Sequence, residues 1–166
     1  MTYPIASDAV TKAFQNLGNE WALVAFGEEN HFNAITVSWG SLGFIWKRPI
    51  VTVMVRPQRY TWDFSEKYRN FSVSFYRPEY HNALSVMGSL SGRDTDKIAQ
   101  AGLTPVFVGG VPTFKEAYLT VTARTVYRGQ LEESGFRESS FCEEYYPQKD
   151  YHTLYHGELL HTYDSL

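Results

Sequence analysis

Residues 20–40, EWALVAFGEENHFNAITVSWG, contain two short runs of branched and aromatic side chains, 20–27 (EWALVAFG) and 34–39 (AITVSW), on either side of a polar stretch at 28–33. Such side chains suit a pleated, half-buried surface, and their spacing predicts two strands joined as a hairpin. In the second run Ile35, Val37 and Trp39 fall on one face and Thr36 and Ser38 on the other, because strand side chains alternate.

Outward from this hairpin the strand signal recurs. Gly40 and Gly43 break the next segment, and Pro49 opens a third strand, 50–55 (IVTVMV). That run is nearly continuous in apolar residues, as in a strand covered on both faces. Residues 71–76 (FSVSFY) alternate strictly and predict a fourth strand, 117–127 (AYLTVTARTVY) a long fifth and 154–160 a sixth. Short helices come between them. Thr61 is expected to cap a helix over 62–68, Gly88 to end one over 78–87, and Gly102 to end one over 95–101. Before that last helix, 91–94 (SGRD) has the spacing of a capping box. Residues 102–115 read as a loop punctuated by Gly and Pro, and 134–150 as a polar, tyrosine-rich surface excursion. With no internal repeat or linker in view, the expectation is one mainly β domain with short helices over residues 1–166.

Composition narrows the function. The chain has 166 residues, 43% hydrophobic and 20% charged, enough to bury a core without disulfides or a structural metal. Its formal net charge is −3 and its basic residues stand singly or in pairs such as Lys47 and Arg48, which argues against a nucleic-acid partner. Cys142 is the single cysteine and lies beside Glu143 and Glu144, whose charges disfavour a thiolate nucleophile. Residues 1–8 lack the charged-then-apolar pattern of a secretion signal, and no stretch approaches the ~20 apolar residues that span a bilayer. A cytoplasmic protein without a membrane partner is expected.

Three segments could carry chemistry. In 56–61 (RPQRYT), Arg56, Arg59, Tyr60 and Thr61 follow a buried strand and open a helix, so guanidinium groups, a hydroxyl and free helical N–H groups converge as they do around a terminal phosphate. The same residues read equally well as a capped helix flanked by solvated charges. In 33–40 (NAITVSWG), the strand end at Thr36, Val37, Ser38 and Trp39 could read the edge of a planar heterocycle, although a plain amphipathic strand explains it too. In 91–97 (SGRDTDK), Ser91, Arg93 and Lys97 could meet a second anionic group, while the capping box offers a structural reason for the same pattern. His152, His156, Glu158 and His161 do not assemble a metal site: on a strand His156 and Glu158 share a face and His161 points away. No hydrolase, P-loop or dinucleotide-binding motif occurs, and no catalytic side-chain constellation is found.

Taken together, 33–40 (NAITVSWG), 49–61 (PIVTVMVRPQRYT) and 91–97 (SGRDTDK), in this order and spacing, resemble the flavin-reductase-like family, particularly its flavoredoxin-type branch. The resemblance runs from about residue 20 to about residue 160. It implies an FMN-binding split β-barrel, a homodimer, and a bound FMN whose ring lies beside Thr36, Val37, Ser38 and Trp39. It implies that Arg56, Arg59, Tyr60 and Thr61 hold the phosphate, with Ser91, Arg93 and Lys97 near the flavin or the nicotinamide entrance. NADH or NADPH would deliver hydride to flavin N5, so the cofactor carries the chemistry. Two functions follow from it: an NAD(P)H-dependent flavin reductase, or an electron carrier that keeps its FMN and serves a redox protein partner. A barrel that binds no flavin is a third, weaker reading. Tyr145, Tyr146, Tyr151, Tyr155 and Tyr163 crowd the C-terminal quarter and are expected to favour the homodimer, since tyrosine buries area and keeps a polar tip.

Overall fold

The structure, a computed structural model, describes residues 17–164; residues 1–8, considered above for a secretion signal, lie outside that range. Strands β1 (Ala22–Glu28) and β2 (His31–Val37) form the expected hairpin, pairing Ala22 with Val37. Strands β3 (Gly40–Ile45) and β4 (Arg48–Val55) form a second. Helix α1 (Tyr60–Lys67) leads to β5 (Asn70–Phe75), followed by helices α2 (His81–Ser89) and α3 (Lys97–Ala101). Strands β6 (Pro105–Val108) and β7 (Val111–Phe114) make a small separate hairpin. Strand β8 (Leu119–Gln130), helix α4 (Ser140–Tyr145) and strand β9 (Thr153–Asp164) complete the described chain.

Seven strands form one antiparallel sheet in the order β2-β1-β5-β8-β9-β4-β3. Its two outermost strands, β2 and β3, are consecutive in sequence, with only Ser38 and Trp39 between them. From Val37 to Gly40 is three chain steps, a reach of about 10–11 Å at most. The sheet must therefore curl until its edges meet, although no ladder bridges them. This is the expected split barrel, with an open seam between the end of β2 and the end of β4. Register shifts at Thr122/Ala123 and Thr125/Tyr127 between β8 and β9 add the local bend that such curling needs.

The barrel interior is packed by Val24, Phe26, Val51, Val53, Phe71 and Tyr155, among others. A second cluster, including Leu23, Ala25, Leu84, Met87 and Phe114, lies on the outer face of β1 beneath α2 and the small hairpin. So β1 is buried on both faces, a role the sequence suggests for 50–55. On β4 the expectation holds too: the inward Val51, Val53 and Val55 and the outward Ile50 and Thr52 are all buried, and Met54 alone of 50–55 is half-buried.

Several local expectations are corrected. Thr61 does not cap α1: Arg59 holds the N-cap position, and Thr61 is buried inside the first turn, where its hydroxyl accepts from Asn33 Nδ2 at 2.8 Å. Gly88 does not end α2 but sits within it, where an added Cβ would lie 3.2 Å from that of Thr36. Asp96, not Ser91, caps α3 by accepting from the Ala99 amide, while Gly102 ends it in the left-handed conformation (φ 66°) as expected. The 102–115 loop contains the β6–β7 hairpin, whose turn at Gly109 and Gly110 has φ of 57° and 79°, values that glycine adopts without strain. Gly40 and Gly43 lie within β3, because β4 supplies a full ladder beside them. Trp39 does not join Ile35 and Val37 in the barrel: it follows the end of β2 and is 39% exposed. Nor do the C-terminal tyrosines make one surface, since Tyr155 and Tyr146 are buried.

Candidate functional site

The seam holds a cavity of about 200 Å³ lined by Thr36, Val37, Ser38 and Trp39 from one edge and by Met54, Arg56, Arg59 and His152 from the other side. Strand β2 has one neighbour in the sheet, so alternate backbone N–H and C=O groups along its free edge are unclaimed by a ladder. The Thr36 hydroxyl donates to the Leu84 carbonyl and so ties β2 to α2. Trp39 stands over the mouth, perpendicular to Tyr145 at 5.4 Å and tilted on His152 at 5.1 Å.

Arg59 also lines a second, smaller cavity of about 70 Å³, shared with Tyr60, Thr61, Ser91, Gly92 and Lys97. Two motifs more than thirty residues apart thus close on one space, sized for a small polar group rather than a ring. Lys97 is only 3% exposed, and its Nζ donates to the Met87 carbonyl at 3.0 Å. Burial, and then repulsion from Arg59, pushes its pKa down to about 8. Among the described residues neither Arg59 nor Lys97 has a carboxylate within ion-pair distance. A buried cation without a counter-charge is costly, and an anion in this space would relieve it. The helix agrees: α1 has no side-chain cap, so the amides of Tyr60 and Thr61 keep free N–H groups at its positive end. Asn33 supplies the Thr61 hydroxyl with a donor, which leaves the Thr61 proton for a ligand. Gly92 packs closely here: an added Cβ would lie 2.6 Å from Asn33 Oδ1 and displace the side chain that bonds Thr61.

The remaining candidates are placed differently. Arg56 reaches the seam cavity, but its guanidinium is bound to Asp150, donates to the Tyr145 carbonyl at 2.9 Å, and lies 5.1 Å over the Tyr146 ring. Burial works against ionising Asp150, but hydrogen bonds from Arg56 and Gln58 overcome it and hold its pKa below the usual carboxylate value. Arg93 lies outside the small cavity, paired to Asp63 at 2.7 Å and stacked 4.8 Å over Tyr60.

Sequence reasoning missed Met54 and Asp150, quoted Asn33 at the head of 33–40 without giving it a role, and weighed His152 only as a metal ligand. His152 is buried beside the seam, and Nδ1 shares a 2.8 Å hydrogen bond with the Tyr146 hydroxyl. Burial first, and then repulsion from Arg56, pushes its pKa down to about 4. The cavity therefore faces a neutral imidazole at neutral pH. One signal was available for Asn33: an amide side chain at the head of the 33–40 segment. His156 and Glu158 are engaged elsewhere, with the Thr52 hydroxyl and with Arg48. Among the described residues no group of three His, Cys, Asp or Glu side chains is arranged for a metal ion, and no helix is long and apolar enough to cross a membrane.

Together the two cavities suit one elongated molecule: an anionic end in the cationic cradle and a planar, polar-edged body along the seam. Comparison with known proteins identifies the family and the fold. The family model described as flavin reductase like domain matches residues 14–163. No curated protein matches. Among solved structures the chain is similar to an FMN-binding protein from Thermus thermophilus with bound 1-cyclohex-2-enone (21% identity, TM-score 0.70, covering 99% of this chain and 78% of that one). It is also similar to the flavoredoxin of Desulfovibrio vulgaris (Miyazaki F) (19%, 0.68, 99% and 77%). A third similar structure is the FMN-binding domain of a flavin reductases-like enzyme from Shewanella baltica OS155 (17%, 0.67, 93% and 73%). At these identities the likeness is one of fold.

Proposed function

The chain belongs to the flavin reductase-like family, and from that premise we propose that it is an FMN-binding NAD(P)H:flavin oxidoreductase, a single cytoplasmic domain that works as a homodimer. The observation that carries this reading is the convergence of Arg59, Thr61, Ser91 and Lys97 on one small cavity that shares Ile35 and Arg59 with the seam cavity. A bound flavin would supply the redox chemistry, hydride acceptance at N5 from NADH or NADPH, which belongs to the cofactor rather than to side chains.

The protein's own residues then have four tasks. Arg59 and Lys97 supply two positive charges to the phosphate, and the Tyr60 and Thr61 amides supply directed donors. The free edge of β2 offers backbone groups to the polar rim of the ring. Neutral His152 gives one further hydrogen bond without adding charge, and Trp39 limits water at the mouth. The exposed apolar side chains of the sheet edge, with Phe44 73% exposed and Trp46 60%, support self-association.

An electron carrier with permanently held FMN is the second reading, favoured by the burial of Lys97, which suits a resident rather than a passing phosphate. One experiment separates them: the visible spectrum of the purified protein, before and after anaerobic NADH and NADPH. Bleaching near about 450 nm within minutes supports the reductase. A yellow protein that neither donor bleaches supports the carrier, and a colourless protein that takes up no added FMN removes both.

A further inference from the structure

Beside the seam lies a second cleft that the flavin reading does not use. It has a volume of about 350 Å³ and shares Trp39 and Met54 with the seam cavity, its other walls being Phe136, Phe141, Tyr145 and Tyr146 from the 131–150 excursion, together with Leu131. No charged side chain lines it, and the Tyr146 hydroxyl is already bonded to His152. Its rings meet as aromatic pairs do in interiors: Trp39 is perpendicular to Tyr145 at 5.4 Å, and Phe141 is stacked on Tyr145 at 6.0 Å.

The cleft is pre-formed. Asp150 is held by Arg56 and Gln58, the Tyr145 carbonyl accepts from Arg56, and Tyr146 is held by His152, so the excursion is pinned to the barrel at three points of its return. The excursion is also acidic: with Asp150 neutralised by Arg56 and Glu133 paired to Lys149, residues 131–150 still carry Glu132, Glu138, Glu143 and Glu144 against Arg137. That charge disfavours a nucleotide or any other anion here, while the aromatic lining favours ring edges and faces. The volume lies at the lower end of small-molecule sites, roughly 300–1,000 Å³.

We propose that this cleft binds an uncharged, planar aromatic molecule of one or two fused rings. The flavin reading gives that ligand its setting, next to the cofactor across Trp39 and Met54, but the cleft's own chemistry stands without it.

The test is calorimetric titration of the full chain with 2-naphthol, neutral at pH 7, and with naphthalene-2-sulfonate, the same ring bearing a fixed negative charge. Each titration is run with and without saturating FMN. The neutral compound should bind at least about tenfold more tightly, the ratio set by about 1.4 kcal/mol. Phe141→Ala should weaken it about fivefold or more and leave FMN affinity unchanged, since Phe141 is half-exposed and does not line the seam. Leu42→Ala, on the remote sheet edge, should change neither. Equal affinity for the two naphthalenes, indifference to Phe141→Ala, or 2-naphthol binding that disappears as the protein self-associates would each overturn the proposal. Binding of 2-naphthol by a protein that takes no FMN would sink the flavin reading and leave this one standing. FMN binding without 2-naphthol binding would do the reverse.

Discussion

Arg56 and Arg59 stand three residues apart in one loop, yet they end in opposite electrostatic settings. Arg56 is neutralised by Asp150 and roofed by Tyr146, so its charge fastens the 131–150 excursion to the barrel. Arg59 faces a cavity with buried Lys97 and, among the described residues, no carboxylate partner. The difference teaches that a basic residue's availability to a ligand depends on what the distant chain brings beside it, not on its motif. One region is an ionic latch whose charges are balanced within the protein. The other is an open cradle, stabilised only when something anionic enters.

The widest separation between the two regions should appear in acid. In the folded latch His152 stays neutral down to about pH 4, against an ordinary value of 6.5. Between those values the unfolded chain binds the proton and the folded protein does not, so stability falls as pH drops from 6.5 towards 4. The full loss is on the order of 3 kcal/mol. Urea denaturation at pH 7, 5.5 and 4.5 checks it. A His152→Asn variant, which cannot titrate, should lack this part of the decline, and parallel curves for the two proteins would show that His152 does not set the acid limit.

The cradle should respond next most strongly, and to ligand rather than to pH. Arg59→Ala should weaken FMN binding roughly ten- to hundredfold, the equivalent of ~1.5–3 kcal/mol for a charged hydrogen bond. Riboflavin, with the same ring and no phosphate, should be almost unaffected. Flavin fluorescence titrations of both ligands measure this, and equal weakening would move Arg59 from the phosphate to the ring or the fold.

Arg56→Ala should show the opposite profile, with FMN affinity changed less than about threefold and stability reduced by about 1–2 kcal/mol, because the half-buried Asp150 loses its counter-charge and keeps only Gln58 as a side-chain donor. Removing Asp150 as well, in Arg56→Ala/Asp150→Ala, should recover part of that loss, as coupled neighbours do. Additive losses in the two single variants and the double would mean that no latch exists. The smallest effect concerns Lys97, whose pKa is pushed down to about 8 without ligand. FMN affinity should fall several-fold as pH rises from about 8 towards 10 and the lysine loses its charge, and Lys97→Met should flatten that slope. A slope that persists in the variant would assign the titration elsewhere.

Much of the barrel is legible in the chain itself. The branched and aromatic runs at β1, β2, β4 and β5 identify themselves, as does the α-helical start after residues 56–59, because strand composition and helix entry are short-range patterns. The elements that escape do so for long-range reasons. Gly40 and Gly43 belong to a strand only because β4 lies alongside them, and Gly88 continues a helix because Thr36 needs the space a side chain would fill. His152 carries no motif and Asn33 only begins one; their importance comes from meeting Tyr146 and Thr61 in the folded chain.

By itself, then, the sequence determined a mainly β chain with a cationic helix entry and a second basic motif downstream, all written in patterns a few residues long. Only the tertiary structure decided that β2 and β3 are the two edges of one curled sheet, leaving the seam open. It alone decided that Lys97 is buried against Arg59, and that Asp150 neutralises Arg56 from 94 positions away. The physical reason is that charge compensation and strand closure depend on which segments the barrel's register sets side by side, and no local pattern encodes that.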